Sequence, residues 1–309
     1  MGIIHQKYLP FSEEQLLSHF ADVGAGRAGE REKYLGYYRK STENYKTYCQ
    51  ANPDRKGKTL RETKVPCQIE KDERFWTVAC MMTIFYSPNR TEELVHLLKL
   101  AYGAYPPVEG IDRWEECCSG DLALFFETNL PSPRSYKDWL SKNLTTRQFI
   151  PYILDSAFLD GDRDKPNLEG PTHVDALLVN SKNGFAVIIE AKVLSDISVE
   201  ITYDLMRNQI ARNIDVMMGA ENDTLPDPLN KRDPKRTLFL LVTPKLFKDN
   251  PTSRLYGYKF MEYKKDSDAL ARDLPHRTDC DWGIVTQKLG WLTWEDFRSV
   301  NKDCCRWLR

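Results

Sequence analysis

The chain has 309 residues, of which 41% are hydrophobic and 29% charged, and a formal net charge of −1. This composition is typical of a globular protein, and the near-zero charge excludes a global attraction to nucleic acid, so such binding would depend on local basic patches. No segment approaches the roughly 18 consecutive apolar residues that a membrane helix needs, and the amino terminus lacks the features of a signal peptide. We therefore expect a cytoplasmic protein with no membrane partner.

The first hundred residues favour helices. Apolar residues recur at helical spacing in SEEQLLSHFADV, where Ser12 is a predicted N-cap, in ERFWTVACMMTIFY, and in TEELVHLLKLAYGAY, where Thr91 is a predicted N-cap. Two prolines and a glycine in YPPVEGIDRW break both helix and strand and predict a domain boundary there. We predict a helical amino-terminal region, residues 1–107, as a candidate for substrate binding, and an α/β domain, residues 108–309.

Residues 27–64 of this first region are strongly basic, with eleven Lys or Arg residues against five acidic ones. The tyrosines among them are Tyr34, Tyr37, Tyr38, Tyr45 and Tyr48. Interleaved cations and aromatic rings suit phosphate neutralisation and base stacking, whereas the helical spacing of the same rings suits packing. Both interpretations stay open from the sequence.

The second half of the chain changes from helical to strand-like patterns. DLALFFETNL and TTRQFIPYILDSAFL are predicted helical, whereas VDALLVN, FAVIIEAKV and RTLFLLVTP are predicted strands. Between the last two strands, ITYDLMRNQIARNIDVMMGA predicts a helix of about 20 residues with Met206, Ile210, Ile214 and Met217 on one stripe. Strand, strand, helix, strand indicates an α/β fold. DWGIVTQKLGWLTWEDF predicts a further short strand and a closing helix capped by Thr293.

The polar segment ENDTLPDPLNKRDPKR, between the predicted helix and the last of the three strands, is predicted to be a loop because of its prolines. Its basic residues suit either solvent exposure or contact with a phosphate backbone. They are Lys231, Arg232, Lys235 and Arg236.

The connector between the first two predicted strands contains Asn183-Gly184, a strong hairpin signal. If these two residues form the loop, Asp175 lies opposite Lys192; if the loop begins one residue earlier, Asp175 lies opposite Glu190. Both registers place the three charged side chains on one face of the hairpin, because side chains alternate along a strand. A three-residue loop would move Asp175 to the other face.

Carboxylates and a lysine in this arrangement indicate hydrolytic chemistry. Two carboxylates held together in a half-buried hairpin raise each other's pKa unless a cation lies between them. Mg²⁺ relieves the repulsion, and it prefers oxygen ligands from carboxylates, backbone carbonyls, water and phosphate. A lysine one pleat further along can orient and help deprotonate an attacking water, or neutralise charge on phosphorus. Together these groups suit phosphodiester hydrolysis.

Asp175, fourteen intervening residues and then Glu190-Ala191-Lys192 resemble the signature of the PD-(D/E)XK, or restriction-endonuclease-like, nuclease superfamily. The resemblance covers roughly residues 145–245. It implies a mixed central sheet flanked by helices, with Asp175, Glu190 and the carbonyl of Ala191 as ligands of Mg²⁺ or Mn²⁺. It also implies that Lys192 activates water. Val174 stands where the motif has proline.

RNQIARNID, in the predicted helix after the motif, places Gln209, Arg212 and Asn213 at positions i, i+3 and i+4. This pattern is similar to the glutamine-bearing helix of the superfamily's recombination-exonuclease branch, which often has Tyr where this chain has Asn213. By that resemblance, Gln209 is a catalytic residue, and all three side chains face the site and contact nucleic acid. His173, close to Asp175, is a further candidate for contact with a phosphate or leaving group.

Many superfamily members also carry an acidic residue on a helix ahead of the hairpin. Asp155, in FIPYILDSAFL, is the first candidate for this additional metal ligand, and Glu127 is the second.

The resemblance as a whole implies a Mg²⁺-dependent nuclease that hydrolyses phosphodiester bonds. DNA is favoured over RNA as substrate, in a setting of restriction or anti-phage defence. One alternative is a nuclease fold without catalysis, kept for binding nucleic acid or for scaffolding a complex. Another is an RNA-cutting enzyme with the same chemistry, and a second copy of the chain is an additional candidate partner.

Overall fold

A mixed five-stranded sheet with helices on both faces organises the protein, which confirms the predicted α/β class. The structure, a computed structural model, describes residues 11–20, 72–159, 168–198 and 203–308. The strands are β1 (Leu122–Leu130), β2 (Thr172–Asn180), β3 (Ala186–Ala191), β4 (Thr237–Thr243) and β5 (Leu289–Thr293). The helices are α1 (Glu13–Leu17), α2 (Glu73–Phe85), α3 (Arg90–Tyr102), α4 (Trp114–Cys118), α5 (Arg134–Arg147), α6 (Pro151–Leu159), α7 (Gln209–Met218), α8 (Lys245–Asp249), α9 (Leu255–Lys265), α10 (Ser267–Asp273), α11 (Trp282–Gln287) and α12 (Trp294–Val300).

The strands lie across the sheet in sequence order, β1-β2-β3-β4-β5. The first three are antiparallel neighbours, whereas β3, β4 and β5 run parallel. Parallel neighbours need a crossover connection, and α7 lies in the connection from β3 to β4, while α8 to α11 lie in the one from β4 to β5. The carboxyl ends of β3, β4 and β5 therefore share one edge, which is the usual place for ligands in open α/β sheets.

Each face of the sheet has its own hydrophobic core. On one face, buried residues of α2, α3 and α12, such as Met82, cluster with strand residues such as Val187. On the other face, residues of α7 and α9, such as Ile214, cluster with Ile188. Because Ile188 and Glu190 have the same parity on β3, Glu190 points to the face that α7 covers.

Two predicted N-caps are confirmed and one is wrong. Ser12 caps α1 and Thr293 caps α12, each in a reciprocal capping box. Thr91 is not the cap of α3, because that helix begins at Arg90. The hydroxyl of Thr91 instead donates to the carbonyl of Cys118 at 3.4 Å.

Two segments differ from the sequence prediction. DLALFFETNL, predicted helical, forms strand β1 and pairs antiparallel with β2; a short apolar run suits either structure until a neighbouring strand pairs with it. Helix α7 is half its predicted length because the side chain of Asn208 accepts a hydrogen bond from the backbone N–H of Ala211 at 3.1 Å and so caps the helix. Met206, predicted on the apolar stripe, precedes the helix and is 41% exposed.

The loop before β4 holds the other end of α7. Arg232 is buried, and its guanidinium donates to the carbonyls of Met217 at 2.9 Å and Gly219 at 2.6 Å. A cation at this position satisfies carbonyls that the helix end leaves unpaired. The predicted solvent or phosphate contact is therefore wrong for Arg232, and α7 is fixed at both termini.

Helices of the predicted amino-terminal region pack directly on the sheet. Buried residues of α2 and α3 share a hydrophobic cluster with strand residues such as Ile189 and Leu240. More than half of residues 1–107, including the basic and tyrosine-rich segment 27–64, falls outside the described ranges, so the boundary near residue 107 stays a prediction. No helix within the described ranges has the length and apolar character that crossing a membrane would require.

Candidate active site

The β2–β3 hairpin sets the register of two carboxylates. Ala176 pairs with Ile189, and continuing this antiparallel ladder by one residue places Asp175 opposite Glu190. This is the second of the two registers that the sequence allows. The connection ends at Gly184, whose φ of 74° a glycine adopts without strain.

A third carboxylate lies in the same row across the sheet. β1 pairs with β2 on both sides of Glu127, so this residue lies beside Asp175, which in turn faces Glu190. Glu127 has a φ of 51°, in the left-handed region that non-glycine residues rarely adopt. Its buried carboxylate is 3.0 Å from Nε of Arg74 on α2 and 3.0 Å from Nε2 of His173 on β2. Strain of this kind concentrates at functional sites.

Glu190 is fully buried, and three side chains donate to it. Nζ of Lys192 is 2.5 Å from Oε1 of Glu190, and Nε2 of Gln209 is 2.6 Å from the same oxygen. Nδ2 of Asn213 donates to Oε2 at 2.8 Å. Gln209 and Asn213 meet the same carboxylate because they lie one turn apart on α7. The structure thus brings together four of the residues that the sequence selected.

Glu73, the first residue of α2, is a site residue that the sequence interpretation missed. Its Oε1 lies 3.4 Å from Nζ of Lys192. Its Oε2 accepts from the backbone N–H of Val193 at 2.9 Å and from the hydroxyl of Ser195 at 2.5 Å. The local sequence signal was an acidic pair, Asp72-Glu73, at the start of a predicted helix. Because carboxylates are favoured in the first turn of any helix, this pair did not indicate a functional role.

The remaining predicted residues lie at varying distance from this centre. Asp155 is exposed on α6, which packs against α5 in a separate small cluster, and none of the contacts around Glu190 described above includes it. Arg212 lies on α7, but its Nε is 3.1 Å from the carboxylate of Glu169 and its Nη2 donates to the carbonyl of Pro171 at 3.2 Å. The charge of Arg212 is therefore already paired within the protein.

Burial and mutual repulsion govern the ionisation of the centre. Burial, followed by the charge of Glu190, raises the pKa of Asp175 well above its ordinary value near 3.8. Burial acts against the charge of Lys192, but the carboxylates of Glu190, Asp175 and Glu73 outweigh it and raise the lysine pKa. The single ammonium group of Lys192 is thus surrounded by several carboxyl groups.

The donor set suits a hard divalent cation. Carboxylates of Asp175 and Glu190 and the carbonyl of Ala191 are the oxygen ligands that Mg²⁺ and Mn²⁺ prefer. Burial and the charge of Glu190 raise the pKa of Asp175, so a cation bound beside it would favour the ionised carboxylate. Oδ1 of Asn213 is also buried here without a hydrogen-bond partner. Within the described ranges, no three His, Cys, Asp or Glu side chains converge to hold a metal ion, so an ion here would also need carbonyl, water or substrate oxygens.

Comparisons with known proteins supply no relative from which a function could be transferred. No protein-family model, no curated protein and no solved structure matches the chain. The likeness to PD-(D/E)XK nucleases accordingly rests on short motifs and on where the fold places them.

Proposed function

We propose that the protein is a metal-dependent nuclease built on a restriction-endonuclease-like core. The observation that carries the proposal is the convergence on Glu190 of Lys192 and Gln209, with Asp175 opposite it in the hairpin. These groups lie at the carboxyl end of β3, on the edge of the sheet where ligands commonly bind. A mixed sheet flanked by helices is also the architecture that the motif resemblance implies.

The proposed roles follow from the chemistry of each side chain. Asp175, Glu190 and the carbonyl of Ala191 would hold the ion. A bound Mg²⁺ supplies Lewis acidity toward a phosphoryl oxygen and a more acidic water. Lys192 keeps its proton at neutral pH because its pKa is raised, so it acts as a cation and hydrogen-bond donor that orients water and neutralises charge on phosphorus, rather than as a base. Gln209 holds the carboxylate of Glu190 in place.

Glu73 joins Glu127, which lies on β1 beside Asp175, as an acidic candidate ahead of the hairpin. It is the carboxylate that a helix ahead of the hairpin brings to Lys192. Its second oxygen holds the backbone just after β3 through Val193. We assign Glu73 the task of positioning Lys192. The choice of DNA over RNA rests on the family resemblance.

A cleavage assay tests the proposal. The full chain is incubated with supercoiled, linear and single-stranded DNA and with RNA, in Mg²⁺ and in EDTA. We expect Mg²⁺-dependent cleavage, reduced at least about 100-fold in Glu190→Gln and in Lys192→Ala, because both substitutions remove charge from the reacting centre. The supercoiled and linear substrates also separate internal cutting from digestion at ends.

Lys235→Ala serves as the matched control in this assay. It also removes one lysine, but from an exposed pair with Glu109 at 3.0 Å on the surface, and it should cleave like the wild type. Wild-type rates in both Glu190→Gln and Lys192→Ala would refute the proposed function.

A nuclease fold retained for binding or scaffolding is the second candidate. One observation favours it: both oxygens of Glu190 already accept hydrogen bonds from Lys192, Gln209 and Asn213, so the protein satisfies this carboxylate without a metal. Calorimetric titration with Mn²⁺ separates the candidates. A nuclease should show a binding site that Asp175→Asn removes, whereas a pure binding module should show no heat that depends on Asp175.

A further inference from the structure

Two chain segments near the proposed active site expose large apolar side chains. Their exposed residues are Phe149 (77%), Ile150, Tyr152 (80%), Leu205 and Met206. The backbone N–H of Leu205 donates to the carbonyl of Arg147 at 3.2 Å, which joins the two segments. Exposed apolar groups gathered on a polar surface mark an interaction site.

A buried side chain builds the turn that presents Phe149. Gln148 is itself buried, and its Oε1 accepts hydrogen bonds from the backbone N–H groups of Phe149 at 3.0 Å and Ile150 at 3.1 Å. A buried amide oxygen committed to two backbone donors fixes this turn. Tyr152 follows in the first turn of α6, so both aromatic rings are held in solvent at the junction of α5 and α6.

This aromatic junction adjoins the proposed active site along the chain. Leu205 precedes Gln209 by four residues, so their Cα atoms are at most about 14 Å apart. Nε2 of Gln209 contacts Glu190. The intervening segment is held by Arg207, which is fully buried and donates to Glu169 at 2.8 Å. The exposed patch is therefore joined to the proposed active site through the segment from Leu205 to Gln209.

Helix α5 supplies positive charge next to the rings. Its sequence RSYKDWLSKNLTTR has four basic residues and one acidic residue, and the exposed Lys142 lies in the half of the helix that leads to Phe149. Aromatic side chains flanked by cations are the combination by which proteins bind single-stranded nucleic acid, because bases stack on the rings and phosphates contact the cations. Paired bases within a duplex already stack on one another, so exposed rings favour unpaired bases.

We infer that Phe149 and Tyr152 form a stacking platform for unpaired bases beside the active site. The inference deepens the proposed nuclease function and rests on it for the direction in which the bound strand runs. It names the substrate class as nucleic acid with a single-stranded segment.

Fluorescence anisotropy of the full chain in EDTA tests this inference. The labelled probes are an unpaired DNA strand, its duplex, and an abasic strand of equal length and charge. We expect the Phe149→Ala/Tyr152→Ala protein to bind the unpaired strand at least about tenfold more weakly than the wild type, and the other two probes within about twofold. The double variant Phe149→Tyr/Tyr152→Phe, which keeps both rings, should bind all three like the wild type.

Tyr105→Ala is the matched control, since this ring is 77% exposed in the loop after α3, and it should change no affinity. The inference is overturned if the double alanine variant binds the unpaired strand as tightly as the wild type, which is also the result expected if the patch binds a protein. It is likewise overturned if the variant loses affinity equally for all three probes. Because EDTA prevents metal-dependent cleavage, this experiment measures binding alone. A failure of the stacking inference is therefore distinguishable from a failure of the proposed nuclease function, which the cleavage assay tests.

Discussion

Two clusters of charged side chains contact helix α7, and they differ in how fully their carboxylates are paired with cations. In the carboxylate cluster, Asp175 and Glu190 face each other across a hairpin, and Lys192 contacts Glu190. In the cluster around Arg207, the guanidinium lies between two carboxylates, 2.8 Å from Glu169 and 2.8 Å from Asp215, and further cations complete the pairing.

The pKa shifts of the two clusters have opposite signs. Burial, then the charge of Glu190, raises the pKa of Asp175. Burial alone would also raise the pKa of Asp215, but the hydrogen bond from His276 and the charge of Arg207 outweigh it and lower that pKa. Folding therefore favours the charged form of Asp215 and disfavours that of Asp175. The cluster around Arg207 thus favours charged side chains, whereas burial and the neighbouring Glu190 disfavour charge on Asp175, as is frequent at functional sites.

Breaking the balanced cluster should have the largest effect on stability. Arg207→Met keeps much of the side-chain volume but leaves Glu169 and Asp215 buried without their shared cation. We expect the free energy of unfolding to fall by about 3–5 kcal/mol, measured by urea denaturation at neutral pH. A loss below about 1 kcal/mol would contradict the structural role of this cluster.

Removing the ionisable carboxyl of Asp175 should have a smaller effect on stability, of opposite sign. Asp175→Asn keeps an oxygen that can accept the backbone N–H of Ala191, as Oδ2 does at 2.7 Å. The folded-state pKa of Asp175 is raised, so the wild type loses stability as pH rises from near 4 toward that pKa, by about 1.4 kcal/mol for each pH unit. In EDTA the variant should therefore be the more stable protein at pH 7 and nearly equal to the wild type below pH 4.

Thermal unfolding of both proteins across this pH range measures the difference directly. A variant that is less stable than the wild type by the same amount at every pH would show that Asp175 is a structural acceptor without strain.

Breaking an exposed ion pair should have the smallest effect on the free energy of unfolding. Lys235 and Glu109 are 3.0 Å apart and both largely exposed. Lys235→Ala should change the free energy of unfolding by no more than about 0.5 kcal/mol, by the same denaturation measurement. A loss of about 3 kcal/mol or more would mean that this exposed pair contributes as much to stability as the buried cluster around Arg207.

Local periodicity explains which parts of the site the sequence could predict. The shared face of Asp175 and Glu190 follows from alternation along two strands joined by a short turn, and the shared contact of Gln209 and Asn213 follows from helical spacing. Each pattern is local in the sequence, so it can be recognised without knowledge of the tertiary fold.

Long-range contacts explain what the sequence could not predict. Glu73 and Lys192 are separated by 119 residues, and no local pattern links them. Arg212 has the spacing of a substrate-facing residue, yet Glu169, far earlier in the chain, pairs with it. Strand β1 looked helical because only its pairing with β2 distinguishes a short apolar strand from a helix.

The most direct test of the account adds a divalent ion to the stability comparison of wild type and Asp175→Asn. Thermal unfolding at pH 7 is recorded in EDTA and in saturating Mn²⁺. The account predicts that Asp175→Asn unfolds at the higher temperature in EDTA and that Mn²⁺ reverses the order, because an ion that binds only the folded wild type stabilises it. An equal shift of both proteins by Mn²⁺, or no shift of either, would contradict the claim that the Asp175 and Glu190 pair is a cation site.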